Sequence, residues 1–309
     1  MTTALDDAIA GEVAAPAPDA VAALGESVRQ RFGKHAVAVL FYGSCRRAHD
    51  DKGGIVDLYV LVDRYRAAYG SALPAIANAL LAPNVYYIEV PFAGRIARAK
   101  YAVISLEHFE RGVARWFHPY LWARFAQPCG ILYAADETLR RRIVSALGVA
   151  VARFAARTLP QLPAAFDSRT LWTRGLLLSY AAELRSERPE KIATHYAGAA
   201  SELDARARAL SLDQHWEHAA AGSWRNPSAS TARSRSTFGW FIRRAQGKLL
   251  SVLRLLKASF TFDGGLSYLI WKIERQSGVQ VEITPFMQRF PRLGGLAAMW
   301  RTWRRGGFR

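Results

Sequence analysis

The sequence predicts an α/β (α+β) fold that gives way to a mostly helical one, and three observations predict it. Short apolar runs of strand length mix with helical patterns through about residue 135. From residue 136 onward the apolar spacing is helical. Hydrophobic residues make up 51% of the 309-residue chain, enough to fill a sizeable core. The length suits two modest domains. We read residues 19–135 as the mixed domain, 136–275 as the helical one and 276–309 as a basic amphipathic tail.

Taken in order, residues 1–18 are rich in Ala and Pro and read as loose. From Asp19, the residues Val21, Leu24, Val28 and Phe32 recur on one helical face. Ala36 to Tyr42 is an apolar run of strand length, and residues 43–54 are polar and punctuated by glycine, the pattern of a loop. Residues 55–62 form a second apolar run broken only by Asp57, and Asp63 is placed to cap a following helix. Residues 84–90 and 100–106 read as further strands, and 107–127 as helical and aromatic-rich. Helical patterns follow over 139–159, 170–184, 201–210, 248–258 and 265–275, with a Ser/Arg-rich loop at 222–237. There is no internal repeat.

Lys and Arg number 42 against 25 Asp and Glu, a net charge of +17. That balance points to an anionic partner, and nucleic acid, nucleotide and acidic lipid all qualify. Two cysteines, Cys45 and Cys129, make neither a disulfide framework nor a zinc set, and the histidines show no zinc spacing. The acidic start lacks the basic region of a signal or transit peptide. No uncharged apolar run is long enough to span a bilayer. The expectation is a cytoplasmic chain, peripheral on the inner face of the membrane.

The sharpest local signal is Leu40-Phe41-Tyr42-Gly43-Ser44, followed after twelve residues by Asp57 within an apolar strand. Glycine lets the backbone approach a triphosphate, and serine adds a hydroxyl and an amide donor. A carboxylate on the adjoining strand can hold a divalent metal against the same phosphates. Gly-Ser after a strand is also an ordinary turn, but a carboxylate in an apolar strand is costly to bury without a purpose. The pattern resembles the nucleotidyltransferase signature of the polymerase-beta-like superfamily. Most of that superfamily carries a second carboxylate two residues on, where this chain has Tyr59. Either the site is a relic, or its acceptor needs no base: a phosphate monoester, with a second pKa of about 6, is already anionic at neutral pH. Asp63 lies about 20 Å from Asp57 along an extended strand. It is a helix cap, or a metal ligand only if the chain folds back.

The turn at Tyr42-Gly43-Ser44 and the run from Val56 to Asp63 resemble those of the mitochondrial-type, translocator-assembly-and-maintenance phosphatidate cytidylyltransferases, which also lack the carboxylate at the Tyr59 position. Val85-Tyr86-Tyr87, Gly94-Arg95, Lys100 to Ser105, Trp116, Tyr120 and Arg124 to Pro128 resemble that family's next blocks. Leu178-Ser179-Tyr180, Arg185 and Lys191 resemble a later one, and Lys257 to Thr261 with Tyr268 and Lys272 a looser last one. Cys45 stands where the family has a glycine, and residues 213–247 match no block. The resemblance implies a nucleotidyltransferase domain, then a winged-helix-like domain. It implies Mg²⁺ as cofactor, CTP and phosphatidic acid as substrates, an anionic membrane surface as partner, and no stable nucleic-acid partner. It makes Asp57 and Lys100 catalytic, Asp57 (with Asp63 a weaker candidate) the metal ligand, and Gly43, Ser44, Lys100, Tyr180, Arg185 and Lys191 the nucleotide-binding set. Without it, Lys100 is a solvated strand lysine, and Arg185 and Lys191 are ordinary helix-end charges. The tail places Trp300 and Trp303 among Arg301, Arg304 and Arg305, which suits an interfacial helix or one docked on the protein itself. Two other functions stay open: a nucleotidyltransferase with another phosphate or an RNA end as acceptor, and a non-catalytic RNA-binding protein.

Overall fold

The computed structural model describes residues 3–48, 54–183, 187–228 and 232–261. The elements run α1 (Ala4–Val13), α2 (Asp19–Phe32), β1 (Ala36–Tyr42), α3 (Ser44–Ala48), β2 (Val56–Val62), α4 (Tyr65–Tyr69) and α5 (Ala72–Leu80). Then come β3 (Asn84–Phe92), β4 (Arg95–Ser105), α6 (Leu106–Arg115), α7 (Trp122–Phe125), β5 (Gly130–Ala134) and α8 (Glu137–Thr158). The rest are β6 (Ala165–Asp167), α9 (Ser168–Tyr180), α10 (Pro189–Ala197), α11 (Ala200–Asp213), β7 (His218–Ala220), β8 (Ser223–Arg225) and α12 (Ala232–Thr261).

The mixed α/β class is present as a five-stranded sheet in the order β3-β4-β2-β1-β5. Only β2 and β4 run parallel. Alternation along the central strands sorts the side chains onto two faces. Phe41, Leu58, Val60, Val62, Tyr101 and Val103 pack under α2 with Val21, Leu24 and Val28. Leu40, Tyr59, Leu61, Ala102 and Ile104 face the larger core with Phe109, Trp122, Phe125, Leu147 and Phe154. Both faces are covered, which is why these strands read as continuous apolar runs. A second, three-stranded sheet of order β6-β8-β7 gathers Phe166, Trp216 and Trp224 into one aromatic cluster.

Residues 1–18 are not loose. Thr3 caps α1 by accepting from the Asp6 amide, and Leu5, Ile9 and Val13, spaced every fourth residue, are buried. Asp213 accepts from the Ala4 and Leu5 amides. Glu12 takes both forks of Arg206, at 2.8 and 2.9 Å, and accepts from the Cys129 amide. The expected loop at 222–237 is also corrected: Ser223–Arg225 is a strand and α12 starts at Ala232. The loop expected from residue 43 opens on the short helix α3. Helix α8 contains a window of mean hydropathy 1.3, long and apolar enough to cross a bilayer, but 61% of that window is buried inside the protein. The expected helix at 265–275 and the tail lie outside the described residues.

Candidate active site

The sheet places Tyr42, Asp57 and Tyr59 on one face. Tyr42 ends β1 opposite Asp57 in the antiparallel register, and Tyr59 follows two residues later on β2. Immediately after Tyr42 the chain turns at Gly43, whose φ is +89°. A side chain there would meet the Asp57 carboxylate: an added Cβ would lie 2.5 Å from Oδ2. Glycine is therefore required on two counts, backbone conformation and space, and the turn lies directly on the carboxylate. Ser44 is exposed and opens α3. Cys45 points away from the turn into the core under α2, so it does not narrow the loop.

Tyr42, Gly43, Ser44 and Asp57 floor a cleft of about 390 Å³ that also takes in Pro119, Arg124, Gln127, Leu176, Ser179, Tyr180, Glu183, Glu187, Lys191 and His195. Helices α9 and α10 thus fold back over the β1–β2 edge. Tyr180 and Lys191, expected from the sequence, meet Gly43, Ser44 and Asp57 in one place. Lys191 pairs with Glu187 at 2.7 Å on the rim. The Ser179 hydroxyl donates to the Gly175 carbonyl within its own helix. Arg185 lies outside the described residues. Lys100 does not line the cleft, but it is the in-register neighbour of Asp57 on β4 and shares its face with Ala102 and Ile104. Cβ atoms of such neighbours stand roughly 5 Å apart.

Asp63 is not at the site. It lies beyond the far end of β2, where its carboxylate meets His35 Nδ1 at 2.9 Å and accepts from the Arg64 amide. It does not cap α4 either, whose N-cap is Arg64 without a side-chain bond. His35, the residue that claims Asp63, gives no signal in the sequence.

Sequence reasoning also missed the centre of the cationic wall. Arg124 is quoted above only as part of a motif, yet it donates to the Tyr59 hydroxyl at 3.2 Å and reaches Glu183 at 3.5 Å. Its guanidinium stacks 4.3 Å from the Tyr120 ring. Arg254 of α12 stacks on the same ring at 3.9 Å. Burial keeps the Tyr42 and Tyr59 hydroxyls protonated, well above the usual phenol range. Burial pushes Tyr120 the same way, but the flanking Arg124 and Arg254 outweigh it and draw that hydroxyl down. The arrangement offers the Asp57 carboxylate on the floor beside a backbone turn with no side chain over it, and a wall where Arg124 and Lys191 stand with Glu183 and Glu187. A turn of that kind with cations beside it can take an anionic group such as a phosphate.

The comparison with protein families agrees. Residues 62–198 match the family model described as phosphatidate cytidylyltransferase, mitochondrial. The match takes in Lys100, Arg124, Tyr180 and Lys191, and it begins downstream of Gly43, Ser44 and Asp57. No curated protein matches the chain. Over residues 62–198, then, the chain is similar to the mitochondrial phosphatidate cytidylyltransferases, a family of enzymes that make CDP-diacylglycerol in phospholipid biosynthesis.

Proposed function

We propose that the protein joins CTP and phosphatidate to give CDP-diacylglycerol and pyrophosphate, using the cleft between the β1–β2 edge and α9–α10. The observation that carries the reading is the contact of Gly43 with Asp57 on the floor of a cleft whose wall holds Arg124 and Lys191. The Gly43-Ser44 turn cradles the triphosphate, and Arg124 and Lys191 supply charge to its oxygens. The phosphate of the lipid attacks the α-phosphorus in line. A P–O bond forms to the lipid oxygen as the α–β bridging bond breaks, and pyrophosphate leaves with the electron pair. The nucleophile is already ionised, so Tyr59 in place of a second carboxylate is no handicap. Its protonated hydroxyl orients Arg124 instead.

The residues fit a magnesium ion. Among the described residues no group of three His, Cys, Asp or Glu forms a cage. Magnesium usually takes one or two carboxylates plus substrate phosphates, and Asp57 on the cleft floor is such a ligand. Asp57 would hold the ion, which when bound neutralises charge on the phosphates. The sheet order and the Gly43-Ser44 turn support assigning the first domain to the polymerase-beta-like nucleotidyltransferases. Helices α9–α11 with the small sheet support a winged-helix-like second domain, and we keep the division 19–135, 136–275 and 276–309. The burial of α8 supports reading it as a core helix rather than a span, so attachment would be peripheral, and the word mitochondrial in the family description supports a mitochondrial setting. Purified protein incubated with labelled CTP, Mg²⁺ and phosphatidate liposomes should form labelled CDP-diacylglycerol. Label appearing only on RNA ends would replace this reading with the RNA one.

A further inference from the structure

We infer that a second pocket, between the end of α8 and the first turns of α12, binds a phosphate group. It encloses about 410 Å³ and is lined by Phe117, Arg157, Arg235, Ser236, Gly239 and Arg243 among others, sharing no residue with the cleft above. Arg243 is 4% exposed. Its Nε donates to the Phe117 carbonyl at 3.0 Å, and its guanidinium lies 4.2 Å from the Phe117 ring and 5.3 Å from that of Trp240. Its Nη1 lies against Gly239, another residue of the pocket lining, where an added Cβ would come within 2.9 Å of it. Arg153, alongside, spends its fork on the Ala114 and Trp116 carbonyls.

Among the described residues none of Arg153, Arg157, Arg235 and Arg243 pairs with a carboxylate. Burial, then Arg157 and Arg153, pull the Arg243 guanidinium down to about 10, so it is still charged at neutral pH. A desolvated arginine facing two others with no counter-ion is a cost that an anion relieves. Planar guanidinium groups match a phosphate's oxygens in pairs, and the Ser236 hydroxyl adds a donor. The cavity exceeds one phosphate and leaves room for the group it is attached to. Phe238 and Phe241, 64% and 65% exposed, stand about a third of a turn and half a turn round α12 from the pocket residues. The phosphate can come from a lipid headgroup or from solution.

The test uses the full-length protein, the rim variant Arg157→Gln/Arg235→Gln, which keeps the buried Arg243 that α12 rests on, and the cleft variant Arg124→Gln. Inorganic phosphate is titrated by calorimetry. Co-flotation is measured with phosphatidylcholine vesicles, with and without phosphatidylglycerol. A solution phosphate predicts that the rim variant loses phosphate affinity by roughly tenfold or more, while the cleft variant keeps its second-site binding. A headgroup predicts that the rim variant loses flotation on phosphatidylglycerol vesicles while inorganic phosphate binds both proteins alike. Unchanged phosphate binding together with unchanged flotation in the rim variant overturns the inference. So does phosphate binding abolished by the cleft variant alone. Neither outcome bears on turnover at the cleft.

Discussion

Replacing Gly43 by alanine tests whether the turn and the carboxylate act as one device. At φ +89° an alanine carries a conformational penalty of about 1–2 kcal/mol. In a chain of this size that lowers Tm by about 2–8 °C. The second consequence is local. The new methyl would stand 2.5 Å from Asp57 Oδ2 and 3.2 Å from Asp57 Cβ. The carboxylate must retreat by roughly 1 Å to regain ordinary contact. It cannot do so by moving β2, which is hydrogen-bonded on both sides. It must rotate away from the turn, and a displacement of that size at a reacting centre costs about 100-fold in rate. Gly70→Ala is the matched control: its φ is +61° and nothing lies within 4 Å of an added Cβ. The two variants should melt alike, and only Gly43→Ala should lose transfer of labelled CMP to phosphatidate. Turnover by Gly43→Ala within about threefold of wild type would refute the reasoning, since a shift of 1 Å is set to cost far more.

Asp57→Asn keeps the shape of the side chain and removes its charge; it should lose about 100- to 1,000-fold in turnover with Tm unchanged, read by the same assay and a thermal melt. Tyr59→Phe removes the hydroxyl that accepts from Arg124. A loss near 1 kcal/mol should raise KM for CTP about fivefold with little effect on kcat, and an unchanged KM would detach Arg124 from the nucleotide. Deleting residues 3–13 takes away Glu12 and strands Arg206, which is 1% exposed. Chemical denaturation should report a loss of about 3–5 kcal/mol, whereas loose residues would cost almost nothing.

The central strands were legible because they are buried on both faces and carry long apolar runs. Ala36–Tyr42 agrees with its expected bounds, and β2 begins one residue inside them. The Gly43, Ser44 and Asp57 constellation was legible because its parts are close in the sequence. What stayed hidden depends on partners far away. The apolar face of α1 is only Leu5, Ile9 and Val13, and it means little without α8 and α11 to receive it. The strands β6 to β8 are three residues each, too short to show a period. Arg124 looks like any basic residue in an aromatic stretch until the fold sets it against Tyr59, Tyr120 and Glu183. Asp63 misled because its position beside an apolar strand suits a cap or a ligand equally, and His35 takes it for neither.

The docking of α1 also has a temporal side. Glu12 and Arg206 are 194 residues apart, so at about 5–20 residues per second the ribosome makes the second roughly 10–40 s after the first. Through that interval the carboxylate has no guanidinium, and Leu5, Ile9 and Val13 lack α11, one of the two helices that receive them. The sheet, whose last strand ends at Ala134, can assemble well before then. The first helix is thus among the last pieces to be fastened. During synthesis it is an exposed amphipathic segment, open to chaperones and proteases. A bulky fusion placed ahead of it should slow the closing step of folding more than it disturbs the finished protein.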